Sequence, residues 1–320
     1  MKSDHRWDEA FETLRAIEGL EVRRDEPLAP WTRFHAGGAA DVLALPSTAD
    51  AVVRIVRAAR AHDWPLTVLG NGTNVLVADG GVPGVTVRLA PNFNAIRLDG
   101  TTLICDAGVR LCDVAATAAR NGLSGMAFAC GIPGSVGGAV YMNAGAYDGA
   151  MADVVVKTTF LDRDGNVRVV EGEAHDFGYR HSCFAAMPEA LILSVTLALT
   201  PGDVTEIYDA MATYARKRYR SQPLAAHTGG SAFRRPEGHY AGKLISDAGY
   251  KGFRRGDAGV SDKHAGFIVN HGHATAEEIA AVFVEVRRAV YERDGVLLRP
   301  EVKPIGAWTT DPFEIQPSEA

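Results

Sequence analysis

The sequence predicts a mixed fold of strands and helices in two domains, and three observations predict it. A chain of 320 residues is too long for one small core and fits about two domains of 100 to 200 residues each. Short apolar runs with strand and helix periodicity interleave through the first two thirds. The last strand-like run of that part, "ALILSVTLALTPGD", ends on the breaker pair Pro201-Gly202, where a domain boundary is expected. With 47% apolar and 22% charged residues the chain has the composition of a globular protein, not of a disordered or fibrous one.

In order along the chain, "DVLALP" (41–46) reads as a strand ended by proline. A helix follows in "STADAVVRIVRAARAHDWP", with Ser47 or Thr48 as its cap and Val52, Ile55, Val56 and Ala59 on one face. "PLTVLG" is a buried strand running into "NGTN", and "GVTVRL" is another, so that a strand–helix–strand unit precedes a loop of the kind that holds ligands. "TTLICDAG" and "RLCDVAATAARNGLSG" repeat strand then helix, closing near Gly122. "DVVVKTTFLDRDGNVRVVEG" alternates on both sides of Asp164-Gly165, a hairpin signal. Past Gly202, "DVTEIYDAMATYARKRYRSQP" predicts a helix with Ile207, Met211, Tyr214 and Ala215 on its apolar side. Its last turn holds Arg216, Lys217, Arg218 and Arg220, which suit either the helix dipole or a phosphate. The final helix opens on a capping box of Thr275 and Glu278, buries Ile279, Val282, Phe283 and Val286, and stops at Gly295.

A net charge of −6 argues against a general nucleic-acid binder while leaving room for a local phosphate site. The four cysteines, Cys105, Cys112, Cys130 and Cys183, form no zinc-like pattern and read as reduced thiols packed as small hydrophobes. Asp4, Asp8, Glu9 and Glu12 occupy the region where a signal peptide needs apolar residues, and no segment has the roughly 18 uncharged apolar residues of a membrane span. A soluble, cytoplasmic protein without a metal is therefore expected.

Two glycine-rich segments carry the first chemical signal. "LGNGTNVLV" (69–77) follows a strand and exposes backbone N–H groups that suit phosphate oxygens, but taken on its own it reads as a plain turn. Val75 stands where the dinucleotide fingerprint G-x-G-x-x-G requires glycine. "GIPGSVGGAVYMNAGAYDG" (131–149) combines bare backbone at 131, 134, 137 and 138 with the stiff Pro133 and the apolar anchors Val136, Val140 and Met142. It reads as a ligand cradle, with a packing device as the other reading. On the cradle reading, valine at Gly137 or Gly138 lowers ligand occupancy before it lowers stability.

Three polar clusters follow. "FGYRHSCF" places Arg180 among aromatics, "TGGSAFRRP" places Ser231 after two glycines, and "LLRPEVKPIG" places Glu301 after a proline in an apolar strand. Taken singly, they read as a surface ion pair, a turn or cap residue and a solvated strand edge. No G-x-S-x-G elbow supports Ser231 as an acyl-transfer nucleophile.

Taken together and in this order, with "RFHAGGAADVLALP", "AGKLISDAGYKGFRRGDAGVSDKHAGFIVN" and "RPEVKPIG", these stretches closely resemble the UDP-N-acetylenolpyruvoylglucosamine reductase family of flavoenzymes. The resemblance runs from about Pro30 over nearly the whole chain. It implies an α+β protein: an FAD-binding fold of the vanillyl-alcohol-oxidase type (PCMH-type) in two subdomains at 25–200, an α+β substrate-binding domain at 201–300, and a terminal segment, 301–320, carrying Glu301. "ALILSV" follows "YRHSCF" almost directly, which resembles the family's short type II form. The resemblance further implies a non-covalent FAD, NADPH as co-substrate and UDP-N-acetylglucosamine enolpyruvate as substrate, in a monomer that binds neither nucleic acid nor membrane.

By the same resemblance Arg180, Ser231 and Glu301 are catalytic. FAD would be held by Arg33, by Gly70, Asn71, Gly72, Thr73, Asn74 and Val75, by Gly131, Pro133, Gly134, Ser135, Val136, Gly137 and Gly138, by Asn143, Gly145, Ala146 and Tyr147, and by Arg218. Substrate would be held by Lys251, His264 and Arg235. Two positions depart from the family's pattern: Arg235 stands where asparagine is usual, and His35 where an apolar residue is usual.

Overall fold

The computed structural model describes residues 7–315, so Asp4 and the last five residues of the 301–320 segment lie outside the described part. The chain forms two compact units, both discontinuous. Among the described residues one comprises 7–24, 41–71 and 84–218, and the other 25–40, 72–83 and 219–315.

In the first unit the helix α1 (Asp8–Arg15) buries Ala10 and Leu14, spaced one turn apart. A four-stranded sheet then runs in the order Leu20–Pro27, Ala39–Pro46, Val82–Arg88, Leu66–Leu69, the last two strands parallel. The helix α2 (Ala49–Ala61) makes the crossover and buries Val52, Ile55, Val56 and Ala59, as its periodicity predicts. Thr48 is its cap, its hydroxyl accepting from the Ala51 N–H at 3.1 Å, while Ser47 donates to the Gly19 carbonyl at 2.8 Å.

A second, five-stranded antiparallel sheet has the order Val167–Glu171, Val155–Leu161, Leu191–Ala198, Thr102–Asp106, Ile96–Asp99. Its first pair is the hairpin expected around Asp164-Gly165, and Gly165 takes the left-handed φ of +75° that such a turn demands. The helix α3 (Leu111–Arg120) closes at Gly122, and α4 (Val136–Tyr141) is a short helix that the glycine-rich sequence did not announce. The helix α5 (Val204–Ser221) buries Ile207 and half-buries Met211 and Tyr214. Ala215, expected on its apolar side, is exposed, because so little of this helix meets the core that one residue of it is fully buried.

The second unit packs α6 (Ala241–Asp247) and α7 (Ala276–Asp294) with the strands Arg254–Arg255, Ala258–Val260 and Ile268–Asn270, paired in that order. Its core centres on Phe283, fully buried, edge-on to Phe233 at 5.3 Å and tilted against Phe313 at 4.5 Å. A side chain of that size contributes about 1.5–3 kcal/mol by burial. The capping box of Thr275 and Glu278 forms in full, and the Asp79 carboxylate adds acceptors for the N–H groups of Ala276 and Glu277 at 2.8 and 2.9 Å. The left-handed Gly295 ends α7. The strand Val75–Val77 pairs in parallel with Lys303–Ile305, and so ties the 72–83 segment to the far end of the chain.

Candidate active site

Within the first unit the two glycine-rich segments lie against each other. The Asn71 amide donates to the Pro133 carbonyl at 2.9 Å, and a Cβ on Gly70 would stand 2.4 Å from the Ser135 hydroxyl, so a side chain there would have to displace that hydroxyl. Ser135 is buried and caps α4, accepting from Gly138 N–H at 3.4 Å, and Gly134 offers its carbonyl to the Leu111 N–H at 2.9 Å. Val136 points into the core.

The glycines of this segment divide by use. Gly137 is buried, donates its N–H to the Ala107 carbonyl at 2.9 Å, and would bring a Cβ to 2.9 Å from that of Ala107, which is the packing reading. Gly138 is exposed and has only the Ser135 hydroxyl near the place of a Cβ, which is the cradle reading. The expectation that valine acts alike at both positions therefore fails at Gly137. Gly131 is overlain by the Arg218 side chain, whose Cδ would lie 2.5 Å from a Cβ there. Exposed bare backbone at Gly138, in a segment that also carries the Arg218 guanidinium against Gly131 and over the Tyr147 ring at 5.6 Å, offers the flat surface and the cation that a large planar and anionic group such as FAD needs.

The rest of the segment is held internally. Gly145–Ala146 pairs with Gly149–Ala150 as a small hairpin. Tyr147, at φ +57°, donates its hydroxyl to the Tyr214 carbonyl at 2.8 Å and stacks on the Tyr214 ring at 4.2 Å. Asn143, counted above among the flavin contacts, has its amide engaged at both ends. Nδ2 donates to the Gly178 carbonyl at 3.0 Å, and Oδ1 accepts from the Ala152 N–H at 2.9 Å. Gly178 opens the turn that carries Arg180, whose guanidinium lies 5.3 Å from the Tyr179 ring centroid.

Within the second unit, the segment 231–234 lies between two others. Ala232 donates to the Gly266 carbonyl at 2.9 Å and accepts from the Glu301 N–H at 2.8 Å, while Arg234 N–H donates to the Arg299 carbonyl at 2.9 Å. Ser231, bridged to Phe267, and Glu301 thus sit on adjoining rungs although 70 positions separate them in sequence. Ser231 is exposed on this unit, whereas Glu301, read singly as a solvated edge, is 91% covered because the ladder draws it inward. Asn74 joins the same ladder, donating its amide to the Glu301 carbonyl at 3.2 Å and accepting the Lys303 N–H at 2.9 Å. Val75 begins the strand paired with Lys303, Thr73 is half-buried, and Gly72, at φ +62°, accepts from the Arg33 N–H at 2.9 Å. A Cβ on Gly72 would meet the Trp31 carbonyl at 2.3 Å.

Lys303 was not singled out by any sequence motif. Burial, with the neighbouring Arg234 charge, lowers its ammonium pKa, so two cations stand close to the Glu301 rung. Arg235 is exposed, its guanidinium 4.1 Å from the Tyr240 ring centroid. His35, at φ +53°, stacks on His227 at 3.9 Å, a pairing that its place in the sequence gave no hint of.

His264 accepts the Gly266 N–H at Nδ1, at 3.0 Å, so its hydrogen sits on Nε2. Burial lowers its pKa, with a backbone hydrogen bond pulling upward and the exposed Lys251 ammonium lowering it further. His35 and His271, in the same unit, are lowered too, again by burial first. The unfolded chain then binds more protons than the folded one below about pH 6.5, so stability is complete above that pH and is lost as pH falls toward the folded-state values. The denaturant midpoint is expected to drop between pH 7 and pH 5, and His264→Gln to flatten that drop. An unchanged slope in the variant refutes the role of His264.

The chain matches the family model for an FAD binding domain over residues 40–171. It matches the model for the UDP-N-acetylenolpyruvoylglucosamine reductase C-terminal domain over residues 222–305. It is 43% identical to the UDP-N-acetylenolpyruvoylglucosamine reductase of Streptococcus suis strain 05ZYH33 over 290 residues, covering 91% of this chain and 95% of that one. The chain belongs to the UDP-N-acetylenolpyruvoylglucosamine reductase family. The member from Limosilactobacillus reuteri is 44% identical over 293 residues, 92% of this chain and 98% of that one. The crystal structure of the reductase from Thermus caldophilus superposes with a TM-score of 0.77 at 38% identity, covering 89% of this chain and 99% of the other. The chain is thus an FAD-dependent oxidoreductase of the α+β, vanillyl-alcohol-oxidase-type fold that the motif order implied. No helix among the described residues is long and apolar enough to cross a membrane, and no cluster of His, Cys, Asp or Glu among them could hold a metal ion.

Proposed function

We propose that this reductase converts UDP-N-acetylglucosamine enolpyruvate to UDP-N-acetylmuramate for peptidoglycan precursor synthesis, with NADPH as reductant. The observation that carries the reading is the ladder that brings Ser231 and the buried Glu301 onto adjoining rungs, within a chain whose relatives bear the reductase name. On this reading the stretch 25–200, together with Arg218, holds FAD, the remainder of 201–300 holds the substrate, and 301–320 supply Glu301. The protein works as a cytoplasmic monomer on small molecules, binding neither nucleic acid nor membrane.

A bound FAD supplies the transfer of a hydride from the nicotinamide to the C3 carbon of the substrate. Bare backbone at Gly138, capped by Ser135, with Asn71 on Pro133 and Arg218 on Gly131 of the same segment, would hold the cofactor. Hydride arrival at C3 leaves negative charge at C2 that spreads into the substrate carboxylate. The Arg180 guanidinium is the fixed cation for that charge, and Glu301 assists it. Ser231 then delivers a proton to C2, so that one hydride and one proton saturate the double bond. Lys251, His264 and Arg235 hold the nucleotide part of the substrate, Lys251 and Arg235 as cations for its diphosphate.

Anaerobic mixing tests the reading. NADPH should bleach the yellow protein, and the enolpyruvyl sugar nucleotide should restore the colour far faster than air does. Faster recovery in air indicates an oxidase of the same fold, and a purified protein that is colourless and takes up no FAD rules out the flavin chemistry altogether.

A further inference from the structure

Arg180 sits in a backbone conformation that its own sequence does not favour. Tyr179 and Arg180 form a two-residue hairpin loop, closed by the Gly178 N–H to the His181 carbonyl at 3.1 Å and the His181 N–H to the Gly178 carbonyl at 3.2 Å. Arg180 has φ +53°, at the third position of the turn, where glycine or asparagine is usual. Something outside the loop must hold it there.

We propose that Asn143 and Ser182 are positioning residues for Arg180, a two-point clamp that fixes its turn to the exit of α4. This rests on the reading of Arg180 given above. On one flank, Asn143 Nδ2 donates to the Gly178 carbonyl at 3.0 Å. The Asn143 amide cannot flip, since Oδ1 meets the Ala152 N–H at 2.9 Å. Asn143 itself has φ +41°, a left-handed conformation that asparagine tolerates better than most residues. On the other flank, the fully buried Ser182 donates its hydroxyl to the Tyr141 carbonyl at 2.8 Å. Tyr141 is the last residue of α4, so its carbonyl is among those the helix leaves without an internal partner.

Residues 178 and 182, on either side of Arg180, are thereby tied to residues 143 and 141, the run that continues from the proposed flavin-facing Gly138. Loss of either tie lets the turn relax toward negative φ and moves the guanidinium, while the glycines that face the flavin stay in place. The clamp therefore belongs to the second half-reaction and not to the first.

The test uses the FAD-loaded protein, reduced with dithionite and mixed anaerobically with UDP-N-acetylglucosamine enolpyruvate, with return of the flavin colour as the readout. Ser182→Ala and Asn143→Asp should each slow reoxidation about 10- to 100-fold, the scale of an ångström-sized misplacement. Flavin content and the rate of reduction by NADPH should stay within about twofold of native. Placed on Arg180→Lys, either substitution should add no further slowing, because it acts through Arg180. Ser182→Cys, which keeps a weaker donor in nearly the same volume, should fall between native and Ser182→Ala; it also serves if Ser182→Ala does not fold.

Equal slowing of both half-reactions, loss of flavin, or full additivity with Arg180→Lys overturns the clamp. So do native rates in the clamp variants when Arg180→Lys is slow. A native rate of reoxidation in Arg180→Lys instead overturns the reading of Arg180 itself, a separate result.

Discussion

Ser231→Ala should leave NADPH able to bleach the flavin at close to the native rate and slow reoxidation by the enolpyruvyl substrate by about 10²- to 10⁴-fold, the range of a lost general acid. That corresponds to about 3–5 kcal/mol in the barrier. A serine hydroxyl is a poor acid in water, so the effect depends on where the hydroxyl is held. Ser231 follows Gly230, whose φ of +85° sets the entry into the ladder, and Ala232 fixes the strand between the Gly266 carbonyl and the Glu301 N–H. Alanine at 231 keeps every one of those backbone bonds, and the exposed side chain leaves no buried partner stranded. The variant should therefore melt like the native protein. Stopped-flow traces of the two half-reactions decide the matter: equal slowing of both denies Ser231 the proton.

Gly137→Val and Gly138→Val, adjacent in sequence, should fail in opposite ways. At Gly137 even a Cβ would come within 2.9 Å of the Ala107 Cβ and 3.3 Å of the Ala107 carbonyl, with the buried helix unable to move away. Overpacking of that kind costs about 1–3 kcal/mol, and a β-branched residue in a helix adds no relief. The thermal midpoint of Gly137→Val should fall by several degrees, on the order of the shift such a loss produces in a chain of this size. Gly138 faces outward and meets only its own capping serine, at 3.4 Å. Valine there should leave the flavin-free protein as stable as native and weaken FAD binding. Titration of both flavin-free variants with FAD, beside their melting curves, checks the contrast. Native FAD affinity in Gly138→Val defeats the cradle reading.

The fold elements that were legible in the sequence are those fixed by neighbours within about one turn of chain. Thr275 and Glu278 announce α7, Gly295 ends it, and Asp164-Gly165 announces its hairpin, because capping and turn chemistry involve residues three or four positions apart. The order of the motifs pointed to the family, and through it to FAD, before any contact was known. The short helix α4 stayed hidden because its glycines favour no conformation by themselves, and the buried Val136, Ala139 and Val140 settle it by packing.

Other features belong to tertiary structure alone. Glu301 is buried and not a solvated edge, and its backbone is paired with the Ala232 carbonyl and the Asn74 amide, 69 and 227 positions away. Asn143 looks like a flavin contact in its motif, yet its amide is taken up by Gly178 and Ala152. Residues 25–40 and 72–83 join the second unit although the first surrounds them in sequence. The sequence by itself determined the local elements, the family and the chemical types gathered in it. The tertiary structure alone decided which of those side chains remain available and which are consumed in holding others. Hydrogen bonds between residues tens to hundreds of positions apart leave no trace in local periodicity, since their closure depends on the whole fold having formed.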